Sequence, residues 1–173
     1  MKCMKTLVLV AVVAAMCMSV IAMQKDDPTK KLGILVGKWE TEGTFTGTAN
    51  KSSSTLECRW SPMGNYLVCE QLVAMMGNQS RQLTVYSYNS KDGSYVYSTY
   101  RDPGAAPSGG TVTINGNLWT YSGSFEANGK KMEFRTTNDF SKPGTETFKS
   151  ETSDDGGAHW KTVLEGSAKK VDD

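Results

Sequence analysis

Trp39, Thr41, Gly43 and Phe45 fall on one side of an extended chain, and Glu40, Glu42 and Thr44 fall on the other. This period of two predicts a strand with one wet face. Similar runs recur over 55–60, 66–75, 81–89, 94–101, 111–115, 118–125, 130–138, 146–152 and 160–168. Between them stand segments such as Met76-Gly77-Asn78, Asn115-Gly116-Asn117, Ala127-Asn128-Gly129 and Lys142-Pro143-Gly144. Each carries the Gly, Asn or Pro chemistry of a tight hairpin. Only the connection over 102–110 is longer and rich in Gly and Pro, which reads as a mobile loop. Ahead of the first strand, Asp27-Pro28 supplies an N-cap and a first helical residue with preset φ. Leu32, Leu35 and Val36 then follow at helical spacing, and Gly37 stops the helix after two or three turns.

Consecutive antiparallel strands joined by short hairpins either stack as a sandwich or close on themselves, and closure alone removes both exposed edges. The expected fold class is therefore all-β, a single antiparallel up-and-down barrel of about 8–10 strands behind a short N-terminal helix. Gly37-Lys38-Trp39 sharpens that expectation, because a Gly-x-Trp entering the first strand resembles the plug of lipocalin-like or calycin-like barrels. In this reading Gly37 and Trp39 are structural residues that close one end.

The N-terminus reads as a targeting signal. Lys2 and Lys5 precede an uncharged stretch from Leu7 to Ala22, 16 residues long, where a membrane span needs roughly 20. Val20-Ile21-Ala22 offers small residues to a signal peptidase, placing cleavage before Met23. The expected organisation is a signal peptide over 1–22 and one barrel domain over 23–173, exported to the periplasm or secreted. Lipid anchoring at Cys17 is disfavoured because Met16 is too large for the small residue such signals carry before the cysteine. Removing Lys2 and Lys5 changes 19 basic residues to 17, against 18 acidic ones. That balance excludes a global electrostatic attraction to nucleic acid, and no membrane span is expected after cleavage.

Cys58 and Cys69 remain after processing. A hairpin centred on Met63 sets residue 58 opposite 68 or 69, and an exported chain meets an oxidising compartment, so a Cys58–Cys69 disulfide is expected. Closing so short a loop contributes about 3 kcal/mol. No metal site is expected, since one hairpin holds both cysteines and the single histidine lies elsewhere.

Catalytic patterns are sparse. Ser153, Asp155, Gly157 and Trp160 match the Ser-x-Asp-x-Gly-x-x-Trp turn found repeatedly in sialidase propellers. One copy in a short chain reads as a hairpin turn, with His159 exposed within it. Without a second histidine no nucleophilic triad can be drawn. Glu70 and Glu133 could serve as paired carboxylates only if their strands turned them inward; the simpler reading makes them solvated outer-face acids. The aromatic residues say more. Pairing 88 with 95 and 86 with 97 stacks Tyr86, Tyr88, Tyr95 and Tyr97 on one face, and Trp119 and Tyr121 share a face of a later strand. Turned inward, with Trp60, they would line an aromatic, hydroxyl-studded cavity for a flat or amphiphilic molecule. Turned outward, they would be cross-strand pairs stabilising the sheet, the blander and slightly preferred reading.

Several motifs in order carry a family resemblance: Leu35-Val36-Gly37-Lys38-Trp39, Gly64-Asn65-Tyr66-Leu67, Tyr86 to Asn89 followed by Tyr95, the hairpin over 116–124, and Asp155-Gly156-Gly157 before Trp160. Together they resemble the bacterial domain-of-unknown-function 1579 proteins over about residues 30–170. The resemblance implies an exported, lipocalin-like barrel and transfers no catalytic residue. Two features depart from the pattern: Tyr86-Ser87-Tyr88-Asn89 where Gly-Tyr-Asp is expected, and the Cys58–Cys69 pair. The leading expectation is a non-enzymatic barrel without cofactor that binds a small apolar or amphiphilic molecule in its lumen, its protein partners unknown. An envelope interaction module with a packed barrel is the alternative, and an enzyme using inward carboxylates or tyrosines is the weakest reading.

Overall fold

The computed structural model describes residues 27–102, 104 and 106–171. The signal peptide expected over 1–22 lies outside them. A 3-10 helix, Pro28–Leu35, leads into ten strands: β1 (Gly37–Phe45), β2 (Lys51–Trp60), β3 (Tyr66–Met75), β4 (Asn78–Asn89), β5 (Ser94–Asp102), β6 (Ser108–Asn115), β7 (Leu118–Ala127), β8 (Lys130–Asp139), β9 (Thr145–Ser153) and β10 (Lys161–Val171). Each strand pairs antiparallel with the next, and β1 pairs with β10 to close the barrel. At the seam Trp39 faces Lys170 and Phe45 faces Leu164. Closure satisfies the backbone groups that an edge strand would leave open.

Turn chemistry sets the registers. Asn128 and Gly129 both take positive φ, at 52° and 73°, which matches the twist of the strands β7 and β8 that they join. The helix differs from the α-helix that the spacing predicts. In a 3-10 helix residues three apart eclipse one another, and Leu32 and Leu35 are three apart and both buried. Asp27 Oδ1 accepts from the Thr29 amide at 3.0 Å, as a cap should. The long connection also needs correction: Ser108, Gly109 and Gly110 pair with Thr99, Ser98 and Tyr97, so the stretch between β5 and β6 shrinks to 103–107.

One end of the barrel is solid. Trp39 and Trp119 each meet the Phe140 ring edge-on, at 6.2 and 5.2 Å between centroids. Trp39 is 2 % exposed and its indole Nε1 donates to the Leu35 carbonyl at 2.9 Å. That bond satisfies a polar atom which burial would otherwise penalise. Gly37, at φ 107°, lets the chain turn from helix into β1. Leu32, Leu35, Leu67 and the Cys58–Cys69 disulfide belong to the same buried cluster. Cys58 stands directly opposite Cys69 in the β2–β3 register.

Away from this floor the inward positions are smaller and more polar. Gly43 of β1 faces Gly166 of β10, and the Phe148 ring lies over both. A Cβ on Gly43 would stand 3.1 Å from that ring, and one on Gly166 2.6 Å. Absent side chains here let the tip of an aromatic ring approach the wall closely.

Candidate functional site

The tyrosines face inward, which overturns the outward, sheet-stabilising preference. Tyr86 on β4 and Tyr97 on β5 are cross-strand partners, with ring centroids 6.1 Å apart. Tyr121 on β7 lies 6.2 Å from Tyr86 and 5.6 Å from Tyr97. Strands β5 and β6 separate β4 from β7 in the sheet, so a Tyr86–Tyr121 contact forms only across the concave side. The Tyr86 and Tyr121 hydroxyls lie close enough to influence each other's protonation. Burial pushes the Tyr97 hydroxyl up to about 12 and raises Tyr86 and Tyr121 further above the phenolic range. All three stay protonated near neutrality and offer O–H groups rather than bases.

The other aromatic candidates have different surroundings. Tyr88 and Tyr95 stack on each other at 5.1 Å. Tyr95 and Trp119 belong to the buried cluster, and Trp60 and Tyr88 pack against it. Tyr95 and Trp119 therefore belong to the floor, and Trp60, Tyr88, Tyr86, Tyr97 and Tyr121 pack against it, the last three meeting one another across the barrel.

Glu146 is the residue that sequence reasoning missed. It faces Ala168 on β10, which faces Thr41 on β1, so its side chain joins the inward row. Burial raises its carboxyl to about 7, because the charged form loses hydration that nothing replaces. No cationic side chain among the described residues pairs with it. Its field raises the Tyr86 and Tyr121 hydroxyls in turn. A signal existed in the sequence: Glu146, Phe148 and Ser150 alternate with Thr147, Lys149 and Glu151, which puts one acid on an aromatic face.

Cross-strand pairs of neutral polar groups complete the lining. Thr84 and Thr99 hydroxyls lie 3.0 Å apart, Thr136 and Ser150 hydroxyls 2.8 Å apart, and the Gln71 amide donates to Ser54 at 2.9 Å. Phe134 lies against Gly123, where a Cβ would approach the ring to 2.7 Å. Tyr86, Tyr97, Tyr121, Glu146, Gln71, Phe134 and Phe148 are each half-buried. The interior thus combines three phenols, one carboxyl of near-neutral pKa, paired hydroxyls and aromatic walls.

The remaining candidates lie on the outside. Glu70 forms an exposed ion pair with Arg59 at 2.6 Å, and Glu133 lies 3.8 Å from Lys131. Neither carboxylate reaches the lumen. Ser153, Asp155, Gly157 and Trp160 form a turn on the outer surface. Asp155 Oδ1 accepts from the Ser153 hydroxyl at 2.7 Å and from the His159 amide at 3.0 Å, and Gly157 donates its amide to Ser153 Oγ. These bonds, led by that from the His159 amide, hold the Asp155 carboxyl well below its usual range. The His159 ring is 87 % exposed, and Trp160 carries the Arg135 guanidinium over its face at 4.3 Å. An outer groove of about 950 Å³ crosses β1 to β5, lined by Leu72, Leu83 and Tyr100 among Lys38, Glu57 and Arg81. Trp39 and Gln71 also border it, and sequence reading gave it no role. Among the described residues there is no cluster of His, Cys, Asp and Glu able to hold a metal ion, and no helix is long and apolar enough to cross a membrane.

Comparison with solved structures places this architecture beside the S-type phycobiliprotein lyase CPES from Guillardia theta. The two share 10 % sequence identity with a TM-score of 0.52, over 86 % of this chain and 95 % of that one. At that identity the likeness shows a common barrel fold. No curated protein matched the sequence. A family profile described as "Protein of unknown function (DUF1579)" matches residues 24–170, from ahead of the 3-10 helix to the last turn of pairing between β10 and β1, and the chain belongs to that family.

Proposed function

We propose that this protein is a non-enzymatic carrier that holds one small amphiphilic molecule in its barrel lumen. The observation that carries this reading is the contrast within the barrel. Trp39, Trp119 and Phe140 pack one end solid, while the Tyr86–Tyr97–Tyr121 cluster and Glu146 stand half-buried on the concave face above it. A blind, aromatic-walled cavity with a few polar groups at its base is the usual form of a small-molecule site. The barrel fold shared with a phycobiliprotein lyase is compatible with a ligand-holding role. Catalysis has less support, because the single lumenal carboxyl has no paired acid, histidine or nucleophile beside it among the described residues. Export is the accompanying reading, and the Cys58–Cys69 disulfide supports it.

Native mass spectrometry of protein purified from its own host tests the proposal. A co-purifying small molecule lost on substitution of Tyr121 by Trp, which would crowd the cluster, is the expected result. A bare protein mass, together with a crystallographic lumen filled only by side chains, would refute it.

A further inference from the structure

Four features of the lumen bear on ligand charge, and the inference drawn from them rests on the carrier reading above. First, Glu146 is the acid whose burial has no compensating cation among the described residues. Lys170, on the same inward face of β10 two residues beyond Ala168, lies over the Trp39 ring at 5.7 Å instead. Second, the groups facing Glu146 across the lumen are phenols, whose ring faces are electron-rich and attract cations. Third, the neutral hydroxyls and amides nearby pair with one another, as Thr84 does with Thr99 and Gln71 with Ser54. They leave Glu146 and, beside it on β8, the buried amide oxygen of Asn138 as unmatched acceptors, both suited to an N–H donor. Fourth, the charge of Arg101, exposed on β5, acts on Tyr97 and is not among the influences on Glu146.

A buried carboxylate without a partner is costly, and a ligand that supplies the missing positive charge recovers that cost on binding. An anionic ligand would meet the reverse: repulsion from Glu146 and the negative faces of the rings. We infer that the lumen of this barrel selects an amphiphile whose buried end is a protonated amine, with Glu146 as its counter-ion and the rings of Tyr86, Tyr97 and Tyr121 as its wall. The apolar remainder of such a ligand would run along Phe134 and Phe148 toward the open end.

Proton linkage follows from the same groups. An alkylamine resembles the lysine ammonium and stays charged to about pH 10. Glu146, with its carboxyl at about 7, is ionised at pH 8 and mostly protonated at pH 6. Tyr86 and Tyr121 face it, with Tyr97 beside them, and all three remain protonated throughout. Neighbouring inward positions on β8 are Thr136 and Asn138, which do not titrate. Amine affinity therefore rises from pH 6 to pH 8.

The test compares decylamine, decan-1-ol and sodium decanoate, which share a tail and differ in head charge. Binding is measured by calorimetry on the protein and on Glu146→Gln. At pH 8 decylamine is expected to bind about 10-fold or more tighter than the alcohol, with decanoate weakest. Glu146→Gln should remove that preference while leaving decan-1-ol binding within about twofold, which also shows that the variant is folded. Equal binding of amine and alcohol, a preference for decanoate, or an amine preference that survives Glu146→Gln would each overturn the charge assignment while sparing the carrier reading. Failure of all three probes to bind would overturn both.

Discussion

The two ends of this barrel are made from the same ten strands and behave as different materials. At the closed end, large side chains meet ring edge to ring face, and the indole nitrogen of Trp39 has its partner. Higher up, glycines stand at inward positions, hydroxyls pair across strands, and a carboxyl is left without a counter-charge. Stability is concentrated where packing is dense, because close-packed apolar contact favours folding more strongly than exchanging water for a paired hydroxyl does. Recognition is placed where packing has been given up. Substitutions should therefore separate the two regions cleanly.

The largest effect belongs to the floor. Trp39→Ala removes the contact with Phe140 and the bond to Leu35, and should cost about 3–5 kcal/mol in urea unfolding. Tyr97→Phe, in the lumen, should move the same midpoint little. Next comes the disulfide: Cys58→Ser with Cys69→Ser should lose about 3 kcal/mol. A loss below about 1 kcal/mol would mean that the closed end does not depend on the staple. Glu146→Gln should act in the opposite direction. Its folded-state pKa is raised from 4.5 to about 7, so between those values the folded chain holds a proton that the unfolded chain releases. Wild-type stability then falls as pH rises through that window and stays low above it. The variant should be more stable than wild type by about 3 kcal/mol at pH 8, an upper figure for a partly accessible group, and equal to it at pH 4. Identical pH profiles for the two would show that Glu146 is not desolvated. The smallest effect is Tyr121→Phe, which takes one hydroxyl from the pair with Tyr86 and should cost about 1 kcal/mol.

Much of the architecture could be read from the chain because hairpin chemistry is local. Asn128-Gly129 turns the strands, and alternation from Trp39 to Phe45 fixes which residues point in. The disulfide was legible because a turn at Met63 sets the register of Cys58 against Cys69. The 3-10 helix was not, since Leu32, Leu35 and Val36 together fit the α-helical period, whereas the tighter helix uses only Leu32 and Leu35, three apart, and ends before Val36. Direction was the harder problem. A row of tyrosines alternates equally well on either face, and only the Tyr86–Tyr121 contact, across two intervening strands, shows which face is concave. Phe140 lies just past β8, outside any alternating run, so nothing marked it as the ring joining Trp39 to Trp119. Glu146 resembles Glu70 and Glu133 as an acid within a strand, and only Phe148, two residues on, marks its face as the inward one. The outer groove of Leu72, Leu83 and Tyr100 arises from strands whose outward positions happen to be apolar, and single strands do not reveal that.

The most direct test of a solid floor beneath a ligand-holding lumen is an NMR titration of the protein with decylamine at pH 8. The ring signals of Tyr86, Tyr97 and Tyr121 should shift together and saturate, while the Trp39 indole N–H and the ring of Tyr100 on the outer groove stay in place. Saturable shifts confined to Tyr100, or a response at Trp39 without one at the three tyrosines, would contradict the account.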